Sequence, residues 1–390
     1  MAKKHVLPRL RPTQALIHDA VDATTYLVDA GHESTARSVV GALKIAGLGT
    51  PAKAIDGVRR FMTRGILGSV RLVNRGVEGA SNLALESVEV PEAPTVPQRS
   101  DALVSPVGAV DQLVGVLNGA VGDHLASSDN GLDLGLRLRH GDQWIYGDPV
   151  PGERAVVLVH GLCTTELSWS LEAESTLGAA DRHYGALLEE NHGYTPIYAR
   201  YNTGRPIADN GFLLADALDR LVEGNPQLTE LVLIGHSMGG LVSRAATQQG
   251  AFVERLRAVI CLGSPHAGAP LARFGHAAAE VLETIDLPAT QVIGKIVASR
   301  SAGIHDLRHR DLEATGPLLD GVRYLFVAGS VAGGPEDPGV SWFGDGLVPV
   351  TSASGPEGAD VTVRHLSGLA HHQLQAHSQV WELLDAFFTR

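Results

Sequence analysis

The chain has 390 residues, 44% hydrophobic and 19% charged, which allows one large domain of about 250 residues with an appendage and excludes disorder throughout. Its formal net charge of −12 is unevenly placed: residues 1–100 carry 13 Lys/Arg against 9 Asp/Glu, the remainder 18 against 34. An acidic body argues against nucleic acid as the main partner, whereas the mildly basic N-terminal part suits an anionic lipid surface.

The opening "MAKKHVLPRLRPTQ" has the charges of a secretory leader, but Arg9 and Arg11 interrupt any apolar stretch of the length such a leader needs. No apolar run of about 18 residues, enough to cross a bilayer, occurs. Cys163 and Cys261, the two cysteines, each lie beside a predicted buried strand, where a free thiol behaves as a small hydrophobe. A reducing compartment suits them, so the expected location is cytoplasmic, with lipid-surface contact through the N-terminal helices as the peripheral alternative.

Residues 11–90 read as helical, with helix-period apolar positions in "ALIHDAVDATTYLV" and more regularly at Ile55, Val58, Met62, Ile66, Val70, Val73, Val77 and Ala80. "RGILGSVRLVN" (64–74) and "RGVEGASNLAL" (75–85) repeat with an 11-residue period, which "KAIDGVRRFMT" (53–63) partly copies. Eleven residues are close to three helical turns, so the apolar stripe stays nearly straight. Glycines at 57, 65, 68, 76 and 79 cost such a helix up to about 1 kcal/mol each. Packing against other helices or the protein body would offset that; a lipid-surface helix with arginines 59, 60, 64, 71 and 75 at the interface is the sharper alternative.

"VPEAPTVPQRSD" (90–101) reads as a proline-rich linker, dividing an N-terminal helical region (1–100) from the remaining domain (101–390). A helix is predicted at about 106–126. From "LDLGLRLRHGDQWIYG" the period changes to two, giving a hairpin around His140-Gly141-Asp142. Strands follow at 155–161, 195–201, 230–237, 257–264, 323–330 and 361–365, mostly separated by helical patterns. Their continuous apolar runs imply burial on both faces, so the fold class is α/β with a mainly parallel sheet.

A hydroxyl is a poor nucleophile at neutral pH, so a catalytic serine needs a base, a group orienting that base, and donors for the oxyanion. The pentad Gly235-His236-Ser237-Met238-Gly239 lies between the apolar "LVLI" and the helical "GGLVSRAATQQG", the setting of a sharp turn that projects Ser237 from a sheet. The backbone N–H groups of Met238 and of Leu162, in "VLVHGLCTTELSW", are the candidate oxyanion donors. His160 and His236 read as packing or loop-shaping residues. Asp345, between glycines in "GDGLVPV", is favoured as the acid over Asp337 in "PEDPG", an exposed-turn pattern. The base should lie between the last strand and the last helix, where His365, His371, His372 and His377 occur. His365 ends the strand and His377 sits where a helix has begun; His371 is chosen, with His372 its main rival. No acidic or thiol set with ligand spacing accompanies these histidines, so a metal site is disfavoured. The order Ser237, Asp345, His371 is that of serine, acid and histidine in α/β-hydrolases.

Together "VVLVHGLC", "LVLIGHSMGGLVSR", "LGSPHAGAP", "SAGIHDLRH" and "GDGLVPVTSA" resemble the lipase/esterase branch of the α/β-hydrolases, particularly bacterial lipase-like proteins related to the GPI inositol-deacylase group. The resemblance covers about residues 131–390 and leaves the N-terminal region aside. It supports His371 through a pattern matched by His371, Leu374, His377 and Val380. It also implies cap helices over the site at about 269–318, which a helical excursion without a gating role would equally explain. His266, in "GSPHAG", is expected near the site without chemical commitment.

The expectation is a serine ester hydrolase acting on apolar acyl esters, needing no cofactor, with an ester or lipid-like small molecule as its substrate. Acyl transfer or thioester hydrolysis on the same triad, and a lipid-surface binding protein with a secondary hydrolase domain, are the alternatives.

Overall fold

The computed structural model describes residues 106–127, 131–179, 181–269, 301–309, 315–331 and 344–389, all within one of the chain's two compact units. The expected N-terminal helices, their repeat, the linker at 90–101 and most of the expected cap at 269–318 lie outside the described residues. Among the described residues no helix is long and apolar enough to cross a membrane.

The described strands are β1 (Leu136–His140), β2 (Gln143–Ile145), β3 (Arg154–Val159), β4 (Thr195–Tyr201), β5 (Glu230–His236), β6 (Leu256–Leu262), β7 (Arg323–Ser330) and β8 (Val361–Ser367). They form one sheet in the order β2-β1-β4-β3-β5-β6-β7-β8. The predicted hairpin joins β1 to β2, and β1 is antiparallel to both its neighbours. All other pairs are parallel.

The described helices of eight or more residues are α1 (Pro106–Ser127), α2 (Tyr184–His192), α3 (Ile207–Gly224), α4 (Met238–Ala246), α5 (Ala302–His309) and α6 (Ser378–Phe388). Alternate strand residues point to opposite faces, and here each face has its own core. Val157, Val159, Leu233, Val259 and Phe326 pack with α3 and α4. Val156, Leu158, Ile234, Ile260 and Val327 pack with α2, α6 and the buried Trp169. Two covered faces explain why β3 to β7 read as mainly apolar runs and not as alternating ones, and the architecture is the expected α/β-hydrolase fold.

The strand order reverses between β4-β3 and β5-β6, so chains leaving the carboxyl ends of β3 and β5 turn apart and open a crevice. Helix α1 packs against the chain leaving β3 and β4. Its Gly115, Gly119 and Gly122, spaced for one helix face, meet Thr164 and Thr165, Cys163, and Asn202 respectively, so closely that a Cβ at any of them would clash. The Asn118 side chain, between them, donates to Leu132 O at 2.8 Å. Helix α5 continues this layer: Ser301 Oγ donates to Gly119 O (2.7 Å) and the Gly303 N–H to Gly204 O (3.0 Å).

Beneath the same loop lies a buried ion group. Arg200 donates from Nε to Glu166 Oε2 (2.5 Å) and from Nη2 to Glu166 Oε1 (2.7 Å). Arg139 reaches Oε1 at 3.0 Å, and Asp111 of α1 takes a further Arg200 N–H at 2.9 Å. Burial alone would raise the Glu166 pKa, but the Arg200 hydrogen bonds and the charges of Arg200 and Arg139 outweigh it and hold the carboxyl below its ordinary 4.5.

Breaking a buried ion pair from one side is costly, so Glu166→Gln should destabilise the protein by roughly 3–5 kcal/mol at pH 7, read from urea unfolding. Because the folded-state pKa is depressed, the Glu166 contribution is full above the unfolded value and is lost as pH falls through the folded one. The wild type should therefore lose stability more steeply than the Glu166→Gln variant below pH 4.5; parallel curves would contradict this account.

Candidate active site

Ser237 lies between β5 and α4, with φ 53° and ψ −125°, a backbone region that a residue with a Cβ enters at a cost of about 1–3 kcal/mol. Its N–H donates to Leu262 O at the end of β6 (2.8 Å). The small residues around it are a packing requirement. A Cβ at Gly235 would strike the backbone of Gly239 and Gly240, one at Gly239 the carbonyls of Val159 and His160, and one at Gly240 the Ser264 hydroxyl. The elbow is thus pressed between the ends of β3 and β6.

Asp345 follows β7 in a turn whose flanking glycines have φ 52° and 97°, a conformation that suits glycine. Its Oδ1 accepts from the Leu347 N–H (3.0 Å) and the Val348 N–H (2.8 Å), leaving Oδ2 for His371 Nδ1 at 2.7 Å. The His371 backbone N–H also donates to Asp345 O at 3.0 Å. Both side chains are buried. A carboxylate on Nδ1 fixes the tautomer in which Nε2 is bare and basic. Gly263, with φ 61°, is the close neighbour of this pair: a Cβ there would lie 3.1 Å from Asp345 Oδ2 and 3.2 Å from His371 Nδ1.

The other histidines have separate partners. His372 turns outward to Glu172 Oε1 (3.1 Å) with its side chain 43% exposed. His365 meets Ser330 Oγ (2.9 Å), and His377 Nδ1 accepts from the Gln379 N–H at the start of α6. Asp337 lies outside the described residues.

His160, stacked on Tyr201 at 4.5 Å, donates from Nδ1 to Gly161 O (2.9 Å) and accepts the Tyr201 N–H at Nε2 (3.3 Å). Burial lowers its pKa to about 4, so it shapes the loop as a neutral ring. Burial first, then the charge of His371, holds His236 well below its ordinary value. Its Nε2–H donates to His371 O (2.9 Å), and the two rings stand 4.7 Å apart. His236 therefore ties the elbow to the turn carrying His371. Burial also raises the Cys163 thiol to about 12, which leaves it a protonated packing group.

The chain leaving β3 meets Ser237 directly: a Cβ at Gly161 would lie 3.1 Å from Ser237 Cβ. Leu162 follows, and Cys163 N–H is anchored on Thr203 Oγ1 at 3.1 Å. Met238 is the first residue of α4, where a helix N–H has no intrahelical acceptor. Among the described residues neither the Leu162 nor the Met238 N–H finds a backbone acceptor outside regular elements. No hydrogen bond joins Ser237 Oγ to His371 among the described residues; such contacts commonly tighten only with substrate bound.

Sequence reasoning missed Gly263, the glycine face of α1 and the His236 link to His371 O. The α1 signal was present, since Gly115, Gly119 and Gly122 share one helix face. The others depend on contacts distant in sequence.

Residues 199–306 match the family described as the PGAP1-like alpha/beta domain, a span that includes Ser237 and Met238 but not Leu162, Asp345 or His371. No curated protein matches the chain. Similar solved structures include the mature form of Bacillus licheniformis lipase BlEst2, at 19% identity over 64% of this chain and 97% of that one, TM-score 0.46. Aspergillus fumigatus lipase B is 11% identical over 65% of this chain and 56% of that one, TM-score 0.37. A serine hydrolase of Cycloclasticus zankles is 13% identical over 60% and 90%, TM-score 0.37.

The strain at Ser237 is separable from any chemistry. Ser237→Gly removes the Cβ from a region glycine enters freely, whereas Ser237→Ala keeps it. The glycine variant should unfold at higher urea than the alanine variant, by roughly 1 kcal/mol after its greater unfolded-state entropy is counted. A glycine variant no more stable than the alanine one would remove the claim of strain.

Proposed function

We propose that this chain, an α/β-hydrolase fold with a PGAP1-like segment, is a serine carboxylic ester hydrolase with Ser237 as nucleophile, His371 as base and Asp345 as orienting acid. The observation that carries the reading is the buried His371 Nδ1 to Asp345 Oδ2 contact of 2.7 Å, found at the same sheet end as the strained Ser237. An apolar acyl group is part of the proposal and rests on the lipase/esterase resemblance of the motifs.

In this mechanism Ser237 Oγ attacks the ester carbonyl carbon while His371 Nε2 takes its proton. The carbonyl oxygen becomes an oxyanion held by the Leu162 and Met238 N–H groups. The carbon–oxygen bond to the alcohol breaks as His371 returns the proton to it, leaving an acyl-enzyme. Water, deprotonated by His371, then attacks the acyl carbon, and Ser237 leaves with that proton. The net change is ester plus water to carboxylic acid plus alcohol. Asp345 stays ionised throughout, stabilising the imidazolium and holding its tautomer. Its Oδ1 is occupied by two backbone N–H groups, which keeps the second oxygen aimed at His371.

A fluorophosphonate probe should label Ser237, seen by peptide mass spectrometry, and Ser237→Ala should lose both labelling and hydrolysis of p-nitrophenyl esters. Asp345→Asn should lower kcat by about 10³–10⁴-fold, and His371→Ala should be comparably impaired. His372→Ala should stay near wild type. Full activity in Ser237→Ala, or a larger loss at His372 than at His371, would overturn the assignment. Product analysis with an added alcohol measures the partition to acyl transfer, which is expected to be minor.

A further inference from the structure

Arg244, near the end of α4, is only 3% exposed. It donates from Nη1 to His266 Nδ1 (3.0 Å) and from Nη2 to Gly316 O (2.9 Å), while its Nε is buried without a partner. A guanidinium has five N–H donors, so these bonds use only part of its capacity. His266 supplies no negative charge, and burial together with the Arg244 charge holds its pKa well below the ordinary value. No carboxylate among the described residues forms an ion pair with Arg244, and burial pulls its pKa below the ordinary value. A buried cation normally has a counter-charge, because desolvation without one is expensive.

Gly316, whose carbonyl takes one of these N–H bonds, lines with Arg244 a cavity of about 390 Å³, at the small end of the roughly 300–1,000 Å³ of ligand pockets. Tyr324 at the start of β7 and Val361 at the start of β8 are also part of its wall. It therefore lies at the opposite end of the strands from Ser237, Asp345 and His371. Leu318, Leu319 and Val322 make part of its wall apolar, while Asp320, Glu357 and Asp360, all exposed, also line it.

We propose that this cavity binds a small monocarboxylate with an apolar body, its carboxylate on Arg244. The planar guanidinium matches a carboxylate through paired N–H donors, and the apolar walls take the hydrocarbon part. The exposed carboxylates repel each added negative charge, which favours a single carboxylate over a polyanion. The site is independent of the reaction at Ser237.

The test is calorimetric titration of the full chain with hexanoate, hexanamide and inorganic phosphate. Hexanoate should bind at one site, with hexanamide and phosphate at least about tenfold weaker, the ratio expected for losing a charge-assisted hydrogen bond of about 1.5–3 kcal/mol. Arg244→Gln should weaken hexanoate by a similar factor. Ala359→Trp, which adds bulk at an exposed position of the wall without touching Arg244, should also weaken it and keeps the test decisive if the first variant fails to fold. Absence of hexanoate binding, equal binding of hexanamide or phosphate, or hexanoate affinity unchanged in Ala359→Trp would each overturn the proposal.

Discussion

The approach of three backbones around Ser237 is the constraint on which the rest of the site depends. The elbow between β5 and α4 is wedged against the Val159 and His160 carbonyls on one side and the Ser264 side chain on the other, and its own N–H is held by Leu262 O. Those contacts hold a left-handed φ in place against the free energy of relaxing it. They also fix the start of α4 relative to the loop after β3, so the Met238 and Leu162 N–H groups inherit their positions from glycine packing. Because the glycines exclude side chains where backbones meet, any larger residue would move Ser237 and these two N–H groups together.

The loop after β3 needs support of its own, since a loop alone is a mobile place to hold a donor. Here α1 presses Gly115 and Gly119 on it, Thr203 holds the Cys163 N–H, and the Glu166–Arg200 pair fixes its far end. The ion pair is not needed for hydrophobic burial and carries a desolvation cost. Its value lies in direction: two parallel N–H to oxygen bonds admit one geometry, and Arg139 and Asp111 extend it to β1 and α1. The segment from Gly161 to Glu166 is thereby bound to α1, β1, β4 and the turn after β4 while containing no strand.

Much of this was legible in the sequence because it is local. Apolar runs of five to eight residues bounded by turns located the strands, and the glycine-flanked Ser237 and Asp345 announced turns that only certain backbones allow. The histidine was harder. His371 and His372 are adjacent and chemically identical, and only the fold, by burying one against Asp345 and turning the other to Glu172, separates them. The close packing of Gly263 on Asp345 and His371 was unreadable for a similar reason: it joins the turn after β6 to those after β7 and β8, and periodicity carries no information about such pairings.

Helix α4 connects the two ends of the domain. At its N-terminus the unsatisfied N–H groups and the helix dipole favour negative charge, the charge that an oxyanion at Ser237 would develop. At its other end the partial negative charge favours a cation, and Arg244 is there. A dipole end amounts to roughly half an elementary charge and falls off within a turn, so it offsets only part of the guanidinium's charge, and the unused Nε–H still faces no acceptor. The same nine-residue helix therefore presents free donors beside Ser237 and leaves a charge only partly offset at Arg244. That imbalance separates a residue retained only to close a helix from one that still has binding capacity.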